Sequence, residues 1–247
     1  MLSIPILFAG LDLAMNHSGI VFLDEQDKVF YSFFISTVKK HIITIDDGFI
    51  KAIHLRPQRK SENIENYQAF KCHFAVANVE LLFNKFTTLN IVYAGIEDYS
   101  YNSRGRSLVQ IAEIDGLIKN FLWNSRIPFK RISPKSLKLM GGKRGNAKKK
   151  DIIDNVKAEF PLVINDAILQ WDNKTKDYKG PATDLADAFV LAKIVQYDYL
   201  LNNSKLSKDN LTDYEKRALY EVSKITHTSL VDKAYIIKDN NDEQENG

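Results

Sequence analysis

The fold is decided by residues 6–24, which read ILFAGLDLAMNHSGIVFLD. The apolar run 6–12 predicts a buried strand with Gly10 near its end. Two further apolar runs of strand length follow closely, at 18–23 and 29–35. Three strands in such close succession predict an antiparallel meander.

The rest of the chain alternates between helical and strand patterns. The predicted elements are a helix from Ser61, a strand at 91–96, a helix at 108–123, a strand at 129–132, and helices at 148–160 and 181–201. The order β-β-β-α-β-α-β-α-α predicts an α/β fold with a mixed five-stranded sheet flanked by helices. Residues 38–61 are interpreted as a loop or insertion, and residues 161–180 as a polar connection.

The hydrophobic density falls after Asn202. We therefore expect one main domain at 1–202 and a C-terminal extension at 203–247. The extension is predicted to contain one short helix at 212–224, followed by an acidic, Asn-rich end expected to be disordered.

Composition narrows the class of protein. The chain has 247 residues, 45% of them hydrophobic, and a single cysteine. These values exclude disorder as the main state, an intrachain disulfide framework and a cysteine-based zinc site. The apolar start has no basic region before it, and Asp12 comes too early for a membrane span. The protein is expected to be cytoplasmic or nucleoid-associated, in the host cytoplasm if it is viral, and neither secreted nor inserted in a membrane.

Positive charge is concentrated in one segment. Residues 130–150, KRISPKSLKLMGGKRGNAKKK, hold nine basic residues and no acidic one, against 25 basic and 31 acidic residues elsewhere. Such a segment on a mildly acidic body favours a polyanionic partner, although a solvated surface loop is the alternative. Its glycines indicate a flexible loop, with 148–150 opening the next helix.

Four carboxylates occupy positions that favour a shared site. Asp12 and Glu97 end apolar strands, and Asp184 and Asp187 share one helix face at a spacing of i and i+3. Taken singly, Asp12 fits a turn, Glu97 a salt bridge, and the aspartate pair a helix N-terminus. Together they form an all-oxygen set suited to Mg²⁺ or Mn²⁺, and a pair of such ions cleaves phosphodiesters. The five histidines show no ligand spacing and are interpreted as surface or core residues.

The chain resembles the RuvC-type Holliday-junction resolvases of the RNase H-like superfamily. The pieces that carry the resemblance are GLDLAMNHSGIVFLD at 10–24, AGIEDYSYNSRGRSLVQIAEIDGLI at 94–118, ISPKSLKLMGGKRGNAKKKDI at 132–152 and DLADAFVLA at 184–192. The resemblance implies an RNase H-like fold and a homodimer that cuts four-way DNA junctions with Mg²⁺, in DNA recombination and repair. It also implies that Asp12, Glu97, Asp184 and Asp187 are the catalytic metal ligands.

Further residues are candidates for DNA contact. Lys138 and Lys149 lie where the resemblance places phosphate-contacting lysines. The other candidates, from the basic segment and from the loop after Glu97, are Lys143, Arg144, Lys148, Lys150, Arg104, Arg106, Tyr99 and Tyr101. The loop arginines suit phosphate contacts or simple solubility, and the tyrosines suit stacking at a branch point or anchoring of the loop.

The family pattern leaves some points open. The first motif reads Asp12-Leu13-Ala14, which is closer to phage-like relatives than to the bacterial D-P-G. Cutting of flaps or Y-forks, binding of branched DNA without catalysis, and an actin-like ATPase are the rival hypotheses. The last of these lacks a second phosphate loop that we can identify.

Overall fold

A computed structural model describes residues 5–14, 16–36, 50–85, 90–98, 106–161, 163–164, 166 and 168–225. The strands are β1 (Ile6–Leu13), β2 (His17–Asp24), β3 (Val29–Ser36), β4 (Ile50–His54), β5 (Asn90–Glu97), β6 (Phe129–Ile132), β7 (Gln170–Asp172) and β8 (Asp177–Lys179). The α-helices are α1 (Ile64–Lys85), α2 (Arg106–Asn124), α3 (Pro134–Gly142), α4 (Lys149–Glu159), α5 (Pro181–Asn202) and α6 (Asp213–Ile225).

The central sheet has six strands in the order β4-β3-β2-β1-β5-β6. β1, β2 and β3 form the expected antiparallel meander, whereas β5 joins β1, β6 joins β5 and β4 joins β3 in parallel. β7 and β8 form a separate hairpin. The predicted α/β class with a mixed sheet flanked by helices is confirmed.

The two faces of the sheet are covered by different helices. Leu7 and Leu11 of β1 pack into a cluster with α1 and α2, whereas Phe8 packs into the cluster formed with α3, α4 and α5. Alternate residues of β1 therefore face opposite layers, as the two-residue period of a strand requires. Because both faces are covered, β1 reads as a continuous apolar run.

Glycines in three neighbouring strands bring α5 into contact with the sheet backbone. A Cβ atom added at Gly10 would lie 1.8 Å from the carbonyl oxygen of Ala188, and one added at Gly19 would lie 2.1 Å from that of Asp184. At Gly95 the corresponding distance, to Leu191, is 2.6 Å. Any side chain at these positions would push α5 off the sheet.

Two segments differ from the sequence-based expectation. β4 lies within 38–61, which the sequence indicates to be a loop or insertion, and it adds a sixth strand at the sheet edge. The basic segment contains α3, not a flexible loop, because Ser133 caps the helix and Pro134 starts it. Gly141 and Gly142 are buried and lie against α4, α5 and Ala147, so their small size serves packing.

Smaller differences concern helix starts and the connection before α5. α1 begins at Ile64, and Asn63, not Ser61, accepts a hydrogen bond from the backbone N–H of Glu65 at 2.8 Å. The polar connection 161–180 contains the β7–β8 hairpin. The helices expected at 108–123, 148–160 and 181–201 are present as α2, α4 and α5.

The extension after Asn202 contributes α6, which packs on α3 and buries Ala218 completely in the cluster beneath α5. The expected disorder of the acidic end lies outside the described residues, and the domain division at 202 stays a prediction. Within the part of the chain that the structure describes, no helix is both long and apolar enough to cross a membrane.

Candidate active site

Strand register brings Asp12 and Glu97 to the same end and face of the sheet. The last parallel pair of β1 and β5 joins Leu11 to Ile96, so Asp12 and Glu97 are the next residues on adjacent strands. Gly10 and Gly95, two residues earlier on each strand, face α5. Because side chains alternate along a strand, both carboxylates also face the layer that contains α5.

The start of α5 carries the other two carboxylates to this place. Gly19, whose missing side chain admits the backbone of Asp184, is the register partner of Asp12. The first turns of α5 therefore lie over the end of β1. Asp184 is 5% exposed, and Asp187 follows three residues later on the same face of the helix.

The pKa values show that the four acids act on one another. Burial raises the pKa of Asp12 well above its ordinary value, and the charges of Glu97, Asp184 and Asp187 raise it further. Burial also raises the pKa of Glu97, and it raises that of Asp187 to about 8, with Glu97 as the next cause. Carboxylates that repel one another in a buried place favour binding of a cation.

Two lysines supply opposing positive charge. Lys149, the first residue of α4, lowers the pKa of Asp12, Glu97 and Asp187 against the effect of burial. Lys138, on an exposed position of α3, acts likewise on Glu97 and Asp187. The structure thus places both predicted phosphate-contacting lysines beside the carboxylates.

The other basic candidates surround α4. Nζ of Lys143 lies 3.1 Å from Oε1 of Glu159. The guanidinium of Arg144 donates to Oδ2 of Asp151 at 2.6 Å, and Lys150 forms an ion pair with Asp154. Lys148 is exposed and precedes the helix, where its backbone N–H donates to Asp151 at 2.8 Å. These side chains form an exposed basic border.

One of the four DNA-contact candidates from the loop after Glu97 lies within the described residues. Arg106 is the first residue of α2. Tyr99, Tyr101 and Arg104 lie outside the described residues. Their predicted contacts with DNA stay predictions.

Sequence reasoning missed one residue beside the site. Nδ1 of His17 lies 3.1 Å from Oδ2 of Asp184, and this contact raises the pKa of the imidazole. The next residue, Ser18, donates its hydroxyl to the carbonyl oxygen of Ala14 at 3.0 Å, and this bond connects the end of β1 to the start of β2. The feature of the sequence that could have identified His17 is its spacing from Gly19. The two residues are two positions apart on β2, so they face the same side of the sheet.

The carboxylate oxygens of this site are donors that suit a hard divalent cation, but the side chains do not converge on a single point. Among the described residues, no group of three or more His, Cys, Asp or Glu side chains is arranged to hold a metal ion. However, Oδ2 of Asp184 is buried, and its described polar contact is the half-exposed imidazole of His17 at 3.1 Å. Buried carboxylate oxygens close to other carboxylates match the donors that Mg²⁺ and Mn²⁺ prefer.

The chain has an α/β fold similar to that of RuvC, with four carboxylates at one end of its central sheet. Two similar solved structures are described as Thermus thermophilus RuvC, and one of them contains a Holliday junction substrate. For the complex, the TM-score is 0.52 at 13% identity, covering 79% of this chain and 96% of the other. For the second structure, the TM-score is 0.51 at 14% identity, covering 80% and 96%. No protein-family model and no curated protein matches the sequence, so the likeness is one of fold.

Proposed function

We propose that the protein is a metal-dependent, structure-selective DNA endonuclease that hydrolyses phosphodiesters at four-way junctions. The observation that carries the proposal is the meeting of Asp12, Glu97, Asp184 and Asp187 at one end of the sheet, beside Lys138 and Lys149. Carboxylates with adjacent cations suit a site that binds both a divalent metal and a phosphate.

The four carboxylates would hold Mg²⁺, or Mn²⁺ in its place. Bound there, the metal supplies activation of water and stabilisation of the charge that develops at the phosphate. Lys138 and Lys149 orient the phosphate and offset the negative charge of the carboxylates. The exposed border of Lys143, Arg144, Lys148 and Lys150 holds the flanking DNA backbone, with Arg104 and Arg106 as further candidates.

The choice of a four-way junction is supported by the shared fold with a protein solved on a Holliday junction. A junction has two symmetrically related strands, so paired cutting requires a homodimer with one site in each subunit. Tyr99 or Tyr101 would stack at the branch point. The motif Asp12-Leu13-Ala14 favours a phage-like variant that acts in recombination and repair, in the cytoplasm or nucleoid that holds its DNA.

A panel of synthetic substrates tests the proposal. Purified protein is incubated with a four-way junction, a Y-fork, a flap and a matched duplex, in Mg²⁺ and in EDTA. We expect paired, symmetric nicks in the junction in Mg²⁺ alone. Cutting of every branched substrate would indicate a general branched-DNA nuclease, and tight binding without cutting would indicate a non-catalytic junction-binding protein.

Substitution of Asp12 tests the site itself. Asp12→Asn removes one metal-binding charge, and we expect cleavage to fall on the order of a hundredfold or more while junction binding persists. Asp209→Asn, at an exposed position after α5, is the matched control and is expected to cut normally. Full Mg²⁺-dependent cleavage by Asp12→Asn would refute the proposed site.

A further inference from the structure

The β7–β8 hairpin lies outside the proposed site. It occupies the connection between α4 and α5, and it presents Trp171, which is 45% exposed. An exposed aromatic ring offers a flat apolar surface on which a base can stack. The hairpin also carries Lys174 and Lys176 at its exposed tip.

The hairpin is built to hold its shape. Oδ1 of Asp172 accepts the backbone N–H of Lys174 at 3.0 Å, and Oδ2 accepts the hydroxyl of Thr175 at 2.8 Å. The same carboxylate pairs with Lys179 at 2.5 Å, so its charge is neutralised within the hairpin. These bonds fix the turn that carries Lys174 and Lys176, and Asp172 forms its ion pair with Lys179.

Among the residues that the structure describes, Trp171 makes its ring contact with Tyr178. Its ring meets the ring of Tyr178 edge-on, with centroids 5.1 Å apart and an interplanar angle of 79°. Tyr178 and Leu169 pack against the main core and so anchor the pair to the body. The edge-on contact fixes the indole, while 45% of the residue stays exposed to a stacking partner.

The hairpin is continuous with the proposed DNA-binding face. β8 packs against α4, whose first residues are Lys149 and Lys150, and also against α5. β8 ends at Lys179, two residues before α5 begins, so it lies near the end of α5 that carries Asp184 and Asp187. DNA that follows the basic border away from the carboxylates would reach the hairpin.

We propose that the hairpin binds an unpaired base of branched DNA, which stacks on Trp171 while Lys174 and Lys176 contact the flanking phosphates. Stacking on an aromatic ring suits bases that have left the duplex, because every base has a π-face. This inference rests on the proposed function, since it names a second contact for the same DNA.

The two tryptophans of the chain permit a direct test without cleavage. Trp123→Phe leaves Trp171 as the single tryptophan, and Trp171→Phe leaves Trp123, which is 51% exposed on α2. In EDTA, we expect a four-way junction and single-stranded DNA to quench the fluorescence of the Trp171-only protein. A blunt duplex should quench it much less, and the Trp123-only protein should not respond.

Affinity provides a second measurement. Trp171→Ala should weaken junction binding about 5- to 100-fold, with only a small decrease in the melting temperature from loss of the contact with Tyr178. Trp123→Ala should leave junction binding unchanged. If the junction binds with no quenching of Trp171, the hairpin contact is wrong and the nuclease proposal survives. Equal quenching by blunt duplex would overturn stacking of unpaired bases. If no branched DNA binds at all, both proposals fail.

Discussion

At the residue scale, burial and crowding set the protonation of the candidate site. The pKa of Asp187 is raised to about 8, first by burial and then by the charge of Glu97. In metal-free protein at pH 7, this carboxyl therefore holds a proton that it would release if the chain unfolded. Folding of the metal-free protein and ionisation of the site oppose each other.

The sign of the resulting pH dependence follows from this difference. Between about pH 4 and pH 8 the folded state binds the extra proton, so stability falls as the pH rises, by at most about 1.4 kcal/mol per pH unit for this group. Asp187→Asn should reduce the slope and be more stable than the parent at pH 8. Urea unfolding in EDTA at pH 5, 6, 7 and 8 measures both quantities.

Asp209→Asn provides the control for this series and should keep the parent slope. Addition of Mg²⁺ should stabilise the parent most at pH 8, where protons compete least for the carboxylates. An unchanged slope in Asp187→Asn would show that Asp187 ionises freely in the folded protein.

The residues of the site were predictable to different degrees. Asp12 and Glu97 were predictable because each is an acidic residue at the end of an apolar run. Asp184 and Asp187 were predictable because their i and i+3 spacing places them on one face of a helix. His17 was missed because its contact with Asp184 crosses most of the chain and depends on register. Patterns within a few residues show what a side chain faces, whereas contacts between distant segments require the folded structure.

At the element scale, the glycines of β1, β2 and β5 determine how α5 lies on the sheet. Only the one in β1 stood out in the sequence, near the end of the first apolar run. The sequence also did not reveal β4, a short edge strand with mixed residues, or α3, whose glycines suggested a loop. In each case the deciding interaction was packing against another element, which local propensity does not report.

Gly10→Ala tests the contact between β1 and α5. A methyl group at Gly10 meets backbone atoms of Ala188 and Ala192 that cannot rotate away. We expect a loss of about 1–3 kcal/mol or more in the free energy of unfolding, because α5 must shift. Chemical denaturation measures this loss, and the displacement of Asp184 should also weaken Mg²⁺ binding.

Gly116→Ala is the matched control for Gly10→Ala. Gly116 lies in α2, and a Cβ atom added there meets no atom within 4 Å. We expect this variant to be neutral or up to about 1 kcal/mol more stable, since alanine favours a helix. Equal effects of the two substitutions would contradict the proposed role of the β1 glycine.

At the scale of the whole molecule, α6 links the C-terminal extension to the body. Ala218 is fully buried and Leu211 is 6% exposed, and Leu219 packs against the main core. Tyr197 of α5 donates its hydroxyl to Glu215 at 3.3 Å. The contacts join α6 to the layer that holds the basic segment.

Two truncations test whether the main domain stands without α6. A chain that ends at Asn202 loses these apolar contacts, and we expect it to be about 2–5 kcal/mol less stable than the full chain. A chain that ends at Ile225 keeps α6, and we expect it to have the same melting temperature as the full chain. Equal melting temperatures for all three would support a main domain that ends at 202.

The contact between β1 and α5 also has a consequence for biosynthesis. Asp12 and Asp184 are separated by about 170 residues. At about 5–20 residues per second, a ribosome needs roughly 10–35 s to make the intervening chain. The first strand therefore emerges long before the helix that covers it, and a nascent polypeptide carries no assembled set of carboxylates until translation has passed α5.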